Sequence, residues 1–180
     1  MSTRITIPVR FSYAHVWEPA ESLEDGGKPK YQANLLFLKS DTKTKALVDK
    51  AIEEAKKQGK EKKQNWKGKI PASLEINFND GDIKKEGDAV YENHYFINAK
   101  SLEKVPVVDK DKNPIVEKTE FYSGCYGYAV IEAFPYDKPK NGVSFALKAV
   151  MKTRDGEPLG AGPVDLEEAF ANIDLEEDEL

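Results

Sequence analysis

Apolar residues recur at every second position from Ile5 to Tyr13, with Ile5, Ile7, Val9 and Phe11 on one side and Thr6, Pro8, Arg10 and Ser12 on the other. A period of two marks a half-buried strand, because successive side chains point to opposite faces. Pro8, which has no N–H to give to a ladder, suits an edge or a strand start. Residues 18–29 gather Pro19, Gly26, Gly27 and Pro29 and read as a mobile loop, after which residues 31–38 resume as a strand. The period then changes. Leu47, Val48, Ala51, Ile52 and Ala55 recur at helical spacing behind the N-cap candidates Ser40, Asp41 and Thr42, which predicts a helix over about 42–58 with Gly59 placed to stop it.

From Pro71 onward the pattern is one of short strands and turns. Residues 73–78 alternate before the turn-rich 79–82, and residues 94–99 form another strand candidate. Residues 105–108 and 114–116 flank 109–113 like the arms of a hairpin. Residues 125–134 and 143–151 are two further strands joined by a Pro- and Gly-containing loop. Several strands and one helix predict a mainly β domain over residues 1–160, a small barrel or sandwich. Residues 155–163 are rich in Gly and Pro and read as a linker to an acidic tail over 161–180, a segment expected to be disordered alone.

Charge sharpens this division. The chain has 27 Lys and Arg against 32 Asp and Glu, but ten of those acids and none of the bases follow Arg154. Residues 1–154 therefore hold 27 bases against 22 acids, about +5, while the remainder carries −10. Cys125 is the only cysteine, so no intramolecular disulfide forms and no spaced zinc ligands exist, as expected of a reducing cytoplasm. The N-terminus lacks an apolar signal core and no apolar run approaches the ~18 residues of a membrane span, so a soluble protein without a membrane partner is expected.

Catalytic chemistry has little to draw on. His15 and His94 are the only histidines, neither lies in a nucleophile motif, and both suit hydrogen-bonding roles; no Gly-rich phosphate loop precedes a helix. No cofactor is implied. Asp80, Asp82 and Asp88, with His94, could serve Mg²⁺ in a nuclease or other DNA-processing enzyme, although Asp and Gly also end strands in ordinary turns.

Aromatic and basic residues are interleaved throughout the body. Unpaired bases stack on aromatic faces for roughly 1–3 kcal/mol each while neighbouring cations neutralise phosphates. The candidate stacking residues are Tyr13, Trp17, Tyr31, Tyr95, Tyr126 and Tyr128, and the candidate cations are Lys30, Lys100, Lys148, Lys152 and Arg154. Tyr126 and Tyr128 share one strand face, opposite Gly127, Ala129 and Ile131. Each tyrosine could equally pack its ring in the core. The lysine run from Lys56 to Lys69, with Trp66 among it, reads either as a solvated loop or as a phosphate-attracting arm.

Five stretches, residues 10–19 (RFSYAHVWEP), 31–36 (YQANLL), 94–99 (HYFINA), 122–126 (YSGCY) and 150–160 (VMKTRDGEPLG), together resemble a phage family of single-stranded-DNA-binding proteins, formerly labelled a domain of unknown function. The resemblance implies an OB-fold-like barrel, closed or partly open, with one inserted helix. It also implies non-catalytic coating of single strands in phage replication, recombination or repair, within the host cytoplasm. Such binders carry acidic tails that compete with DNA for the basic groove and contact replication or recombination proteins; here Phe170, Asp174, Glu176, Glu177, Asp178, Glu179 and Leu180 would serve. The tail departs from the bacterial pattern, which ends in a compact acidic-Pro-Phe motif. Edge strands or tail exchange would support a homodimer, and a phage adaptor that does not bind DNA is the remaining alternative.

Overall fold

A computed structural model describes residues 3–21, 27–159 and 170–171. Five long strands carry the fold: β1 (Arg4–Ala20), β2 (Lys30–Leu38), β5 (His94–Ser101), β7 (Tyr126–Tyr136) and β8 (Gly142–Arg154). β1 pairs antiparallel with β2 and β7, β2 with β5, and β7 with β8. A parallel contact, Lys100 opposite Ala146, joins β5 to β8 and closes the barrel. Its interior is what the period-two pattern points inward: Ile7, Val9 and Phe11 from β1, Ala33, Leu35 and Phe37 from β2, Ile97 and Ala99 from β5, Ala129, Ile131 and Ala133 from β7, and Phe145 and Leu147 from β8. An irregularity in β8 opposite Val130 and Ile131 then shifts its parity, so Val150 rather than Ala149 or Met151 is buried.

β1 is longer than its alternation suggests because the period breaks inside it. Ser12 lies opposite Asn34 and His15 opposite Gln32, so β1 uses one residue more than its partner, a β-bulge. Tyr13 sits in the bulge at φ 46°, and the buried parity moves from odd to even, at Val16. Paired strand thus continues to Ala20, into what reads from sequence as loop; residues 22–26 lie outside the described residues.

Helix α1 (Thr42–Lys62) follows β2, capped by Asp41, whose carboxylate accepts the Thr44 N–H at 3.1 Å. Val48, Ala51, Ile52 and Ala55 close the barrel core. Gly59 does not stop this helix. It lies buried inside the last turn because the Trp66 ring occupies the space where a Cβ would stand, with ring atoms 2.3 to 2.7 Å from that position. Trp66 itself belongs to a 3-10 turn, Gln64–Trp66.

The segment from β3 (Glu75–Ile76) to β4 (Asn79–Asp80) crosses from β8 to β5, so the alternating stretch 73–78 pairs only briefly with β8, and Asn79 and Asp80 make the pairing with β5. A one-turn helix α2 (Gly81–Lys84) follows, where sequence suggests only a turn. β6 (Val107–Val108) pairs parallel with β8 and meets Pro114, the small hairpin expected of 105–116. Residues 155–159 are not a free linker: Arg10 Nη2 donates to the Glu157 carbonyl at 2.9 Å, and the Leu159 N–H donates to the Ser123 carbonyl at 2.9 Å. Of the acidic tail, 161–180, only Phe170 and Ala171 are among the described residues, so its other candidate contacts lie outside them.

A chain of side-chain hydrogen bonds crosses the outside of the barrel. Tyr91 Oη donates to Ser12 Oγ at 2.9 Å and accepts from Asn34 Nδ2 at 2.8 Å; Asn98 Nδ2 donates to Asn34 Oδ1 at 2.7 Å; Asn77 Nδ2 reaches Ser144 Oγ at 3.0 Å. Tyr91 is 1% exposed, and burial raises its phenol pKa. Replacing Tyr91 by Phe leaves Asn34 and Ser12 short of a partner, for an expected loss of about 1–3 kcal/mol. An unchanged urea midpoint would show that the chain of bonds does not stabilise the barrel.

Candidate nucleic-acid interface

The even positions of β7 point outward, so Tyr126, Tyr128, Val130, Glu132, Phe134 and Tyr136 share one face. Near its end, beside the loop 137–141, that face enters a groove of about 780 Å³. β2 and β5 bring Lys30 and Lys100, β8 brings Ser144, Ala146 and Lys148, and the loop brings Lys138. Phe134 is 40% exposed and Leu102 60% exposed at its wall. Phe134 and Tyr136 lie 6.4 Å apart between ring centroids.

Positive charge prevails in the groove, whose lining holds four lysines against one acid, Glu103. Lys148 lies 3.5 Å from Glu132, but among the described residues no ion pair engages Lys30, Lys100 or Lys138. Four lysines and an exposed ring lining one groove make a surface suited to a flexible polyanion bearing flat apolar groups. The β2–β5 face and the loops after β1 and β7 are also where OB-type barrels take oligonucleotides.

A second groove of about 530 Å³ lies across β2, β1 and the beginning of β7. Arg10, Leu38, His94, Tyr128 and Arg154 line it, and Tyr128 is 43% exposed. The Tyr126 ring is less available. The Arg154 guanidinium stacks 3.7 Å from its centroid, Arg10 stands 5.2 Å away, and Gly156 packs against the ring edge closely enough that a Cβ there would lie 2.7 Å from it.

The sequence candidates are therefore distributed. Lys30, Lys100 and Lys148 meet in the first groove, and Tyr126, Tyr128 and Arg154 in the second. Tyr31 is half-buried at the register position opposite Ser101. Lys152 is engaged internally, 2.6 Å from Asp155 and 3.7 Å from Glu120. Trp17 donates its indole N–H to the Phe121 carbonyl at 3.0 Å, and Tyr95 packs on Phe37 and Phe78 with Lys39 over its ring. Tyr13 is 55% exposed, apart from both grooves, with the Lys85 ammonium 5.2 Å from its centroid. Phe134 and Lys138 escape the sequence reading, and Tyr136, one of the interleaved aromatics, is not among its stacking candidates. Extending the even parity of Tyr126 and Tyr128 along the same strand finds the two rings.

The acidic residues considered for a metal are otherwise occupied. Lys39 Nζ stands 2.7 Å from both Asp80 Oδ1 and Asp82 Oδ2. Hydrogen bonds donated to Asp80 and Asp82 hold the Lys39 pKa above its usual range, and Lys39 together with the Asn93 N–H holds Asp82 below the usual carboxylate range. Asp88 accepts the Val90 N–H, and His94 Nδ1 lies 2.7 Å from the Glu92 carbonyl. Among the described residues no group of three or more His, Cys, Asp or Glu is placed to hold a metal, and no helix is long and apolar enough to cross a membrane. Burial raises the Cys125 thiol pKa, which disfavours the reactive thiolate.

Comparison with known proteins gives one consistent result. A family model described as the single-stranded-DNA-binding protein of Enterobacter phage Enc34 matches residues 3–180. Protein p50 of Acyrthosiphon pisum secondary endosymbiont phage 1 is 30% identical over 176 residues, covering 95% of this chain and 94% of p50. The solved single-stranded DNA-binding protein of bacteriophage Enc34 in complex with single-stranded DNA is 28% identical, with a TM-score of 0.76 over 88% of this chain and 90% of that one. Bacteriophage T7 gp2.5, a single-stranded DNA-binding protein, is 13% identical with a TM-score of 0.63 over 90% of this chain and 97% of its own, a likeness of fold.

Proposed function

This chain belongs to the family of the Enterobacter phage Enc34 single-stranded-DNA-binding protein, and from that premise we propose that it coats single-stranded DNA without catalysis in phage DNA replication, recombination or repair. The observation that carries the reading is the groove that Lys30, Lys100, Lys138 and Lys148 line together with the exposed Phe134 ring. Phosphates would lie against the ammonium groups and a base against Phe134. Tyr128, Arg10 and Arg154 in the second groove would give a longer strand further contacts, with Tyr126 bracing the two arginines from behind.

The tail reading follows from charge. Eight of the ten acids beyond Arg154 lie in residues 161–180, tethered to a body of 27 bases against 24 acids, about +3, so the tail is held at high effective concentration near the basic surface. We assign it competition with DNA and contact with replication or recombination proteins, in the host cytoplasm.

The test is fluorescence anisotropy on a labelled single strand and its duplex at two salt concentrations, without Mg²⁺. Binding should favour the single strand and weaken as salt rises. Phe134→Ala should then cost about 1–3 kcal/mol of single-strand binding. Equal binding to both forms would defeat the reading, whereas unchanged affinity of the variant would remove Phe134 alone from the contact surface.

A further inference from the structure

The lysine-rich end of α1 borders the groove, a neighbourhood not visible in the sequence. Trp66 Nε1 donates to the Tyr136 carbonyl at 3.2 Å, the Asn65 N–H donates to Asp137 Oδ2 at 3.1 Å, and Asn65 Nδ2 donates to the Asp137 carbonyl at 3.1 Å. Tyr136 and Lys138 line the groove, so the turn at 64–66 is fastened to the residue between them. Around this anchor stand Lys60, Lys62, Lys63, Lys67 and Lys69, with Glu61 as the one acid in residues 60–69, a net charge of +4.

These lysines differ from those earlier in the helix. Of the lysines earlier in the helix, Lys45, Lys56 and Lys57 are paired with Asp49, Glu53 and Glu54 and Lys43 and Lys50 stand apart near its start, whereas among the described residues no ion pair engages any of the five clustered here. All but the half-buried Lys63 are exposed. The helix dipole accounts for cations in its last turn, Lys60 and Lys62. It does not account for Lys67 and Lys69, which lie beyond the helix. Trp66, 1% exposed, holds the whole segment against the barrel.

We propose that this arm is a second phosphate-binding surface on which single-stranded DNA continues after leaving the groove past the loop 137–141. The inference rests on the groove being the primary single-strand site. The arm offers cations and no exposed aromatic ring, so it holds the backbone without reading or stacking bases. Short oligonucleotides would fill the groove alone, and longer ones would engage the arm as well.

The test uses the full chain and two oligothymidylates of about 8 and 16 nucleotides, within the span that OB folds occupy. Lys60, Lys62, Lys63, Lys67 and Lys69 are replaced together by Gln, and a control carries Lys43→Gln and Lys50→Gln at the other end of the same helix. Circular dichroism and the thermal midpoint confirm that each variant folds. The arm variant should bind the shorter strand as wild type does and the longer strand more weakly, with the salt slope reduced by about 0.7 for every phosphate that the arm no longer neutralises. The control should match wild type on both. Wild-type affinity and slope of the arm variant on the longer strand would overturn the arm, as would an equal loss on both lengths or the same loss per lysine in the control. If the wild-type protein itself binds neither strand, the groove reading falls first.

Discussion

Replacing Lys30, Lys100, Lys138 and Lys148 together by Ala is expected to lower single-strand affinity several-hundred-fold at 0.1 M salt. Each phosphate neutralised by a lysine releases counterion, and for single strands this contributes about 0.7 to the slope of log affinity against log salt. Leaving four phosphates without their lysines changes the slope by about 2.8, and at 0.1 M the same product is about 2.8 decades of affinity. The substituted positions line an open groove, so the fold should tolerate them; Lys148 alone gives up an ion pair, a half-exposed one with Glu132. Titrations of a short single strand from low to moderate salt give the slope directly. A wild-type slope in the quadruple variant would place the phosphates elsewhere, and the groove centred on Arg10 and Arg154 would be the next to test.

Trp66→Ala should cost about 3–5 kcal/mol, the penalty typical of removing a large buried aromatic side chain. That is a large share of the ~5–15 kcal/mol that holds a domain folded. The indole fills the space above Gly59 and gives its N–H to the Tyr136 carbonyl, so its loss opens a cavity and releases the loop that carries Lys138. A companion substitution fixes the cause. Gly59→Ala in an open helix would gain about 1 kcal/mol from propensity alone. Here the new Cβ would meet Trp66 ring atoms as near as 2.3 Å, and the ring is tethered by its hydrogen bond, so Gly59→Ala should destabilise instead. Chemical denaturation measures both. A stabilised Gly59→Ala protein would mean that the Trp66 ring is free to move aside.

Much of the barrel is legible in the sequence because alternation is a local property. Ile7, Val9 and Phe11 announce the inner face of β1, and Leu47 through Ala55 announce a helix, whatever they pack against. Where the period changes for a tertiary reason the local signal misleads. Gly59 reads as a helix stop until Trp66 is found on it, and residues 18–20 read as loop until the bulge at Tyr13 shifts the phase of β1. The candidate site shows the same division. Lys30, Lys100 and Lys148 are identifiable as cations on strands, but Lys152 lies on the same strand as Lys148 and the strand pattern does not say that Lys152 is half-buried between Asp155 and Glu120 while Lys148, with one half-exposed partner in Glu132, lines the groove.

By itself the sequence determined the strand faces, the helix, the basic body with its acidic extension and the resemblance to a family, since each depends on residues near one another or on the identity of whole stretches. Only the tertiary structure decided which cations stand together. Barrel closure through Lys100 and Ala146, and the fastening of residues 65–66 to 136–137, bring distant segments to one groove. Coulomb energy depends on separation in space and on which opposite charges stand nearby, and neither quantity is written in the order of residues along the chain.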